Sequence, residues 1–150
     1  MNLNQYVTDN KRFKFKEFFK SKTMPNYMKN VTVGYDKRDI IMLGVESILD
    51  PIANALEDEF GKKVSVNISS GFRTIALNNR IHGASDSDHL YCCAVDIWIW
   101  NVNSIAFKDI IIERLPNLPF RQLISYRKKP HVHIAWNIPG RPYKREVFTI

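Results

Sequence analysis

Two stretches of this sequence carry side chains whose types and spacing could do chemistry: His89 to Asp96, and His131-Val132-His133 further along the chain. Imidazole nitrogens and a carboxylate oxygen make a ligand set suited to a zinc ion that keeps its fourth position open for water. Brought together, they have the layout of a hydrolytic metal site.

The elements that must position them follow from the residue pattern. From Cys92 the run Cys92-Cys93-Ala94-Val95-Asp96-Ile97-Trp98-Ile99-Trp100 is apolar, and after Ala94 it is rich in β-branched and aromatic side chains. It reads as a buried strand with Asp96 inside it. Burying even a neutral polar group unpaired costs about 2–7 kcal/mol, and a charge more, so this carboxylate needs a cation or a cluster of donors. A metal meets that need, and so would the N–H groups of a capped turn. His131 to Trp136 also reads as a strand. Alternation puts His131 and His133 on one face with their Cα atoms about 6.5–7 Å apart, and turns Val132, Ile134 and Trp136 into a core. Such a pair is either a functional face or two solvated histidines on an edge strand. Upstream, Val64-Ser65-Val66-Asn67-Ile68 alternates as a half-buried strand and runs into Ser69-Ser70-Gly71-Phe72-Arg73. Gly71 permits a sharp exit, and Arg73 opens a helix predicted from Thr74 to Ile81. An arginine at that mouth can hold a carboxylate or carbonyl, or simply stand on the surface at a helix start.

These residues carry a resemblance. Ser70-Gly71-Phe72-Arg73, then Asn78, Gly83-Ala84, Ser87-Asp88-His89-Leu90, Ala94-Val95-Asp96-Ile97, and Gln122-Leu123-Ile124 leading to Val132-His133-Ile134, resemble the zinc D-alanyl-D-alanine carboxypeptidase family. The likeness is to its small, phage-type branch, related in fold to the hedgehog signalling domain and to bacterial murein endopeptidases. Phe13 to Ser21 resembles that branch's amino-terminal F-x-x-x-E-F-x-x-S opening, and Gly140-Arg141 with Lys144-Arg145 its basic closing strand. The resemblance thus covers nearly the whole chain.

It implies that His89, Asp96 and His133 bind Zn2+, that Arg73 orients the substrate and helps polarise its scissile carbonyl, and that Ser87 helps hold the substrate or the loop. The chain also departs from the family. The carboxypeptidase and hedgehog branches place a catalytic glutamate a few residues before the last zinc histidine, where this chain has Ser125-Tyr126-Arg127-Lys128-Lys129-Pro130. Murein endopeptidase and lysostaphin-like relatives use a His-x-His motif instead, whose first histidine assists the water or the oxyanion. His131 matches that histidine and is the expected base. Cys92 and His82 stand where the family has glycines, so the loops around the metal are expected to be shaped differently. The vicinal Cys92 and Cys93 are read as buried reduced thiols on a strand, pointing to opposite faces, rather than as extra ligands.

Length and composition agree with one domain: 150 residues, 45% hydrophobic, can bury a real core. Residues 1–150 are expected to form one domain, zinc D-Ala-D-Ala carboxypeptidase-like as the resemblance implies, with 1–39 a basic segment of short helices and loop that wraps it. Ile40 to Phe60 carries a helical stripe of Ile41, Val45, Ile48, Ile52 and Leu56, interrupted by Pro51, which predicts a kink or a second helix capped by Asp50. Ile105 to Leu115 is a second amphipathic helix, and Gln122 to Tyr126 and Lys144 to Ile150 supply further strands. The expected fold class is α+β, with an antiparallel sheet backed by helices and lined on one face by the metal site.

No run of about 18 apolar residues could span a membrane, and the start lacks a secretory profile, so no membrane partner and cytoplasmic synthesis are expected. The net charge of +7 could serve nucleic acid, but basic residues are scattered and no nucleic-acid motif accompanies them. A positive surface equally steers a protein onto anionic cell-wall polymers. The expected function is therefore a zinc peptidase of phage or prophage origin that cleaves peptidoglycan peptide, by trimming a terminal D-alanine or by cutting within the stem or cross-link. The missing glutamate leaves a second reading, a degenerate zinc-binding relative that serves as a virion or wall-binding component.

Overall fold

The computed structural model describes residues 1–150. Five strands, β1 (Asn67–Ser70), β2 (Ala94–Trp98), β3 (Phe120–Ser125), β4 (Val132–Trp136) and β5 (Glu146–Thr149), form one sheet in the order β1-β2-β4-β3-β5. Every pairing is antiparallel except the outermost, where β5 runs parallel to β3. The expected all-antiparallel sheet is corrected there, because β4 ends opposite the start of β3 and the Asn137–Arg145 connection crosses at that same end to the other edge of β3, so that β5 runs in β3's own direction. Gly140 and Arg141, expected to open the closing strand, lie in that connection, and the strand itself starts at Glu146 rather than Lys144. β1 likewise starts at Asn67 rather than Val64. Its partner β2 ends opposite Asn67, at Trp98, and residues 64–66 have nothing to pair with.

Alternation splits the sheet as the residue pattern requires. Val95 and Ile97 of β2, Leu123 of β3, and Val132, Ile134 and Trp136 of β4 join a single core with the helices α2 (Arg38–Gly44), α3 (Asp50–Phe60) and α5 (Ser104–Arg114), while the short α4 (Ile75–Arg80) lies between β1 and β2 in the chain. The opposite face carries a row that crosses the sheet: Ser70 pairs with Asp96, Asp96 with His133, and His133 with Ile124. The two families of side chains cannot be exchanged without a register slip that turns the core outward.

The stripe from Ile40 to Phe60 is one helical run rather than two capped helices. A proline removes its own N–H and crowds the carbonyl four residues back. The chain accommodates Pro51 with a π turn at Val45–Leu49, closed by the Asp50 N–H donating to the carbonyl of Val45, so the helix widens without breaking. Asp50 is therefore not a cap. Its carboxylate accepts from Thr8 Oγ1 and Asn10 Nδ2, both at 2.8 Å, and faces Arg12, which ties the amino-terminal segment to the helix. That segment contributes a 3-10 turn at Phe15–Phe19, whose Phe15, Phe18 and Phe19 enter the core, and α1 (Met24–Gly34).

The Trp136 indole crosses the helix at Gly44 and donates to the carbonyl of Ile40 at 3.0 Å. A Cβ on Gly44 would lie 2.3 Å from that ring. Alanine is the better helix former by about 1 kcal/mol, yet here overpacking dominates, and Gly44→Ala should destabilise the fold by about 1–3 kcal/mol. A lower urea midpoint with an unchanged m-value is the expected readout; a higher midpoint contradicts this packing.

Candidate metal centre

Three of the sequence-predicted ligands meet at one point. Asp96 and His133 sit on neighbouring strands, directly opposite one another in register. His89 reaches them from a 3-10 turn at Asp88–Tyr91 that leads into β2. His89 Nε2 lies 3.1 Å from His133 Nδ1 and 3.3 Å from Asp96 Oδ1, and His133 Nδ1 lies 3.2 Å from the same oxygen. His89, Asp96 and His133 are 2%, 6% and 6% exposed.

The outer contacts decide what these atoms offer. His89 Nδ1 donates to the carbonyl of Gly71 at 2.6 Å, which fixes the tautomer and turns the Nε2 lone pair inward. Arg73 Nη2 donates to Asp96 Oδ2 at 3.1 Å, leaving Oδ1 to face the imidazoles. Burial pushes the His89 imidazole below its ordinary value. Burial also raises the Asp96 carboxyl, but the two histidines outweigh it and hold it well below the usual carboxylate range. Neutral imidazole and ionised carboxylate are the ligand forms, and three such donors facing one buried point suit a cation. The fit to zinc is geometric as well: bonds of about 2.0–2.2 Å in a tetrahedron hold their donors about 3.3 Å apart, the spacing found here. The cluster can hold a metal ion.

The cluster opens on a cleft of about 910 Å³ whose walls include Ser87, Tyr126 and His131 as well as Arg73. Arg73 is held by Ser70 Oγ at 3.2 Å in addition to Asp96, so it belongs to the ligand cluster as much as to the cleft. Ser87 precedes the 3-10 turn, where its side chain makes no capping bond. His131 stands just before β4, its ring edge-on to Tyr126 at 5.1 Å, and burial pushes its imidazole down. Ser104, buried at the start of α5, joins the two: its hydroxyl donates to the His131 carbonyl at 2.7 Å and accepts from the Tyr126 N–H at 2.9 Å.

One expectation about this region is corrected. Neither cysteine is on the strand: Cys92 has φ +60° and closes the 3-10 turn, Cys93 follows it, and β2 begins at Ala94. His82 has φ +56°. Cys92 and His82 thus adopt the left-handed conformation that glycine takes freely, at about 1–3 kcal/mol each. Both cysteines are buried and free, and burial pushes their thiols up, Cys93 to about 12, so neither supplies a thiolate. Gly71 has no positive φ. It is needed because a Cβ there would meet the Phe18 carbonyl oxygen at 2.2 Å, and the adjacent Phe72 N–H donates to that oxygen at 2.7 Å.

Sequence reasoning missed the support beneath His89. The neighbouring Asp88, 7% exposed, accepts from Arg121 Nε at 2.9 Å and from Arg141 Nη2 at 2.8 Å. Arg121 also donates to the Pro142 carbonyl. The available signal was a charged residue, Arg121, inside the apolar run of β3.

A buried His–Asp–His cluster between the strands of an α+β domain, open to a cleft, is the construction of a metallopeptidase site. The chain belongs to the peptidase M15 family, whose family model matches residues 17–135 and so takes in all three candidate ligands. Peptidases of this family are zinc-dependent, and the cluster suits that ion. The chain matches no curated protein.

Two outcomes follow from this geometry. Free zinc at a hundredfold its Kd should stabilise the chelator-treated protein by about 3 kcal/mol, seen as a rise in Tm, and Asp96→Ala should show no such rise. Asp88→Ala leaves the buried Arg121 without a counter-ion, and Arg141 with Asp86 alone, and should cost about 3–5 kcal/mol in urea unfolding.

Proposed function

We propose that this M15 chain hydrolyses peptide bonds in peptidoglycan, as a D-alanyl carboxypeptidase or as an endopeptidase of the stem peptide or cross-link. The observation that carries the reading is the convergence of His89 Nε2, His133 Nδ1 and Asp96 Oδ1 to within 3.1–3.3 Å of one another at the floor of a cleft. These three atoms would hold the zinc, which would supply a Lewis acid for the peptide carbonyl and a water acidic enough to attack near neutral pH.

The chain's own residues supply the rest. The Arg73 guanidinium, fixed by Asp96 and Ser70, orients the scissile carbonyl and favours the negative charge that grows on its oxygen. Ser87, on the cleft wall, holds the substrate or its loop. The attacking water must lose a proton, and residues 125–130 offer no carboxylate to take it. His131 is the base: burial keeps its imidazole neutral, and Tyr126 holds the ring by its edge. The resemblance to small phage-type members supports a phage or prophage origin, with action on the wall after lysis or from a particle.

His131→Ala separates base from ligand. The variant should keep one zinc per chain and lose about 10²–10⁴ of kcat in release of peptide or D-alanine from purified peptidoglycan. Loss of the zinc along with the activity makes His131 a ligand instead. No release by the zinc-loaded wild type from any peptidoglycan type favours the wall-binding, non-catalytic reading that the absent glutamate allows.

A further inference from the structure

Two of the three tryptophans stand on the metal side of the sheet, next to the ligands. Along β2 the side chains alternate, so Val95, Ile97 and Ile99 enter the core, while Asp96, Trp98 and, beyond the strand's end, Trp100 take the opposite side. Trp98 lies two residues past Asp96, about 6.5–7 Å along the strand. It pairs with Asn67 of β1, and on its other flank His131 comes one residue before Val132, the partner of Ile97. A second row, Asn67, Trp98 and His131, thus crosses the sheet beside the row that carries the metal ligands.

The indoles of this row are left open. Trp100 is 76% exposed and Trp98 half-buried, their ring centres 5.7 Å apart and their planes at 76°, so that together they form a corner. The Trp136 N–H donates within the protein, whereas those of Trp98 and Trp100 have no acceptor there. Asn67 gives its Nδ2 to the carbonyls of Ser65 and Trp98, at 3.1 and 3.4 Å, and keeps its amide oxygen free. The bordering segments 64–67 and 99–103 carry no charge, in a chain of net charge +7.

An exposed aromatic corner edged by neutral donors and acceptors narrows the ligand. Nucleic acid and an anionic membrane call for cations, and an apolar protein contact would bury the free polar groups unpaired. A pyranose ring uses both parts: its C–H face packs on an aromatic plane while its hydroxyl and acetamido groups bond at the edge. The second indole, turned across the first, closes on that edge.

Resting on the peptidase reading above, we propose that Trp98 and Trp100 are a stacking platform for an N-acetylhexosamine ring of the wall glycan. A stem peptide still joined to its sugar then occupies the metal floor and the platform together, and each contact reinforces the other.

The test titrates isotope-labelled, zinc-loaded protein with a tetramer of N-acetylglucosamine. The indole N–H resonances of Trp98 and Trp100 should move, and that of Trp136 should stay. Trp100→Ala, a surface change checked by Tm and zinc content, should weaken the sugar about tenfold. In turnover, kcat/KM for a disaccharide-linked stem peptide should exceed that for the same peptide capped by the lactyl group alone by about tenfold, and Trp100→Ala should bring that ratio near one. Indole resonances that do not move, or sugar binding of equal strength in Trp100→Ala, overturn the inference. So does a single-stranded oligonucleotide that shifts the same resonances at lower concentration than the sugar, which would assign the corner to nucleic acid. Hydrolysis of both peptides at one rate, with no sugar response, removes the platform and leaves the peptidase. A sugar response with neither peptide hydrolysed removes the peptidase and leaves the platform.

Discussion

The constraint on which the rest depends is a pairing of strands. Once β2 and β4 are in register, Asp96 and His133 face each other on the side of the sheet away from the core, and His89 closes the triangle from above. A buried carboxylate beside two imidazoles whose lone pairs converge is unfavourable by itself. A divalent cation would turn that conflict into cohesion, and so metal binding is expected to add to stability. The same register places Val132, Ile134 and Trp136 in the core, so a slip that spoiled the site would also expose the hydrophobic face.

Around that triangle the protein spends its polar groups on orientation. The Gly71 carbonyl holds His89, and Gly71 can approach because it lacks a Cβ against Phe18. Arg73 occupies the outer oxygen of Asp96. Asp88, gripped by two arginines, fixes the turn that carries His89, and it draws those arginines from β3 and from the loop before β5, elements remote in sequence. The ligands are held from several directions at once, as a site that must not relax when its ion changes partners requires.

How much of this was legible in the sequence follows from which interactions are local. The metal residues could be read because chemistry and period agreed: Asp96 stood out in an apolar strand, and His133 alternates with the core residues Val132 and Ile134. Helix Ile105–Leu115 was legible from its stripe and its stopping prolines, and the structure gives Ser104–Arg114 with Asn103 as its cap. Partners set by distant segments could not be read. Nothing near Asp50 announced that Thr8 and Asn10 would claim its carboxylate, and nothing near Asp88 pointed to Arg141. The parallel placement of β5 was hidden for the same reason, since strand direction at a sheet edge depends on where a connecting loop lands. The π turn before Pro51 shows a further limit: sequence identifies the defect, while the packing of Ile48, Leu49 and Ile52 decides that the helix widens rather than breaks.

The β3–β4 loop lacks the glutamate that resemblance to the carboxypeptidase branch would lead one to expect. In its place the loop carries Arg127, Lys128 and Lys129, and His131, the proposed proton acceptor, lines the cleft. An imidazole has no charge of its own to hold it near the metal and must be positioned by packing. Tyr126 supplies that packing, while one buried hydroxyl, Ser104 Oγ, binds the backbone at both ends of the loop. A neutral base near a cation is repelled once it takes a proton, so it releases that proton readily. The basic loop adds to that repulsion, as it would lower the proton affinity of a carboxylate in the same place. On the proposal that His131 is the base, the positive charge of the loop therefore favours the neutral imidazole that must accept the next proton.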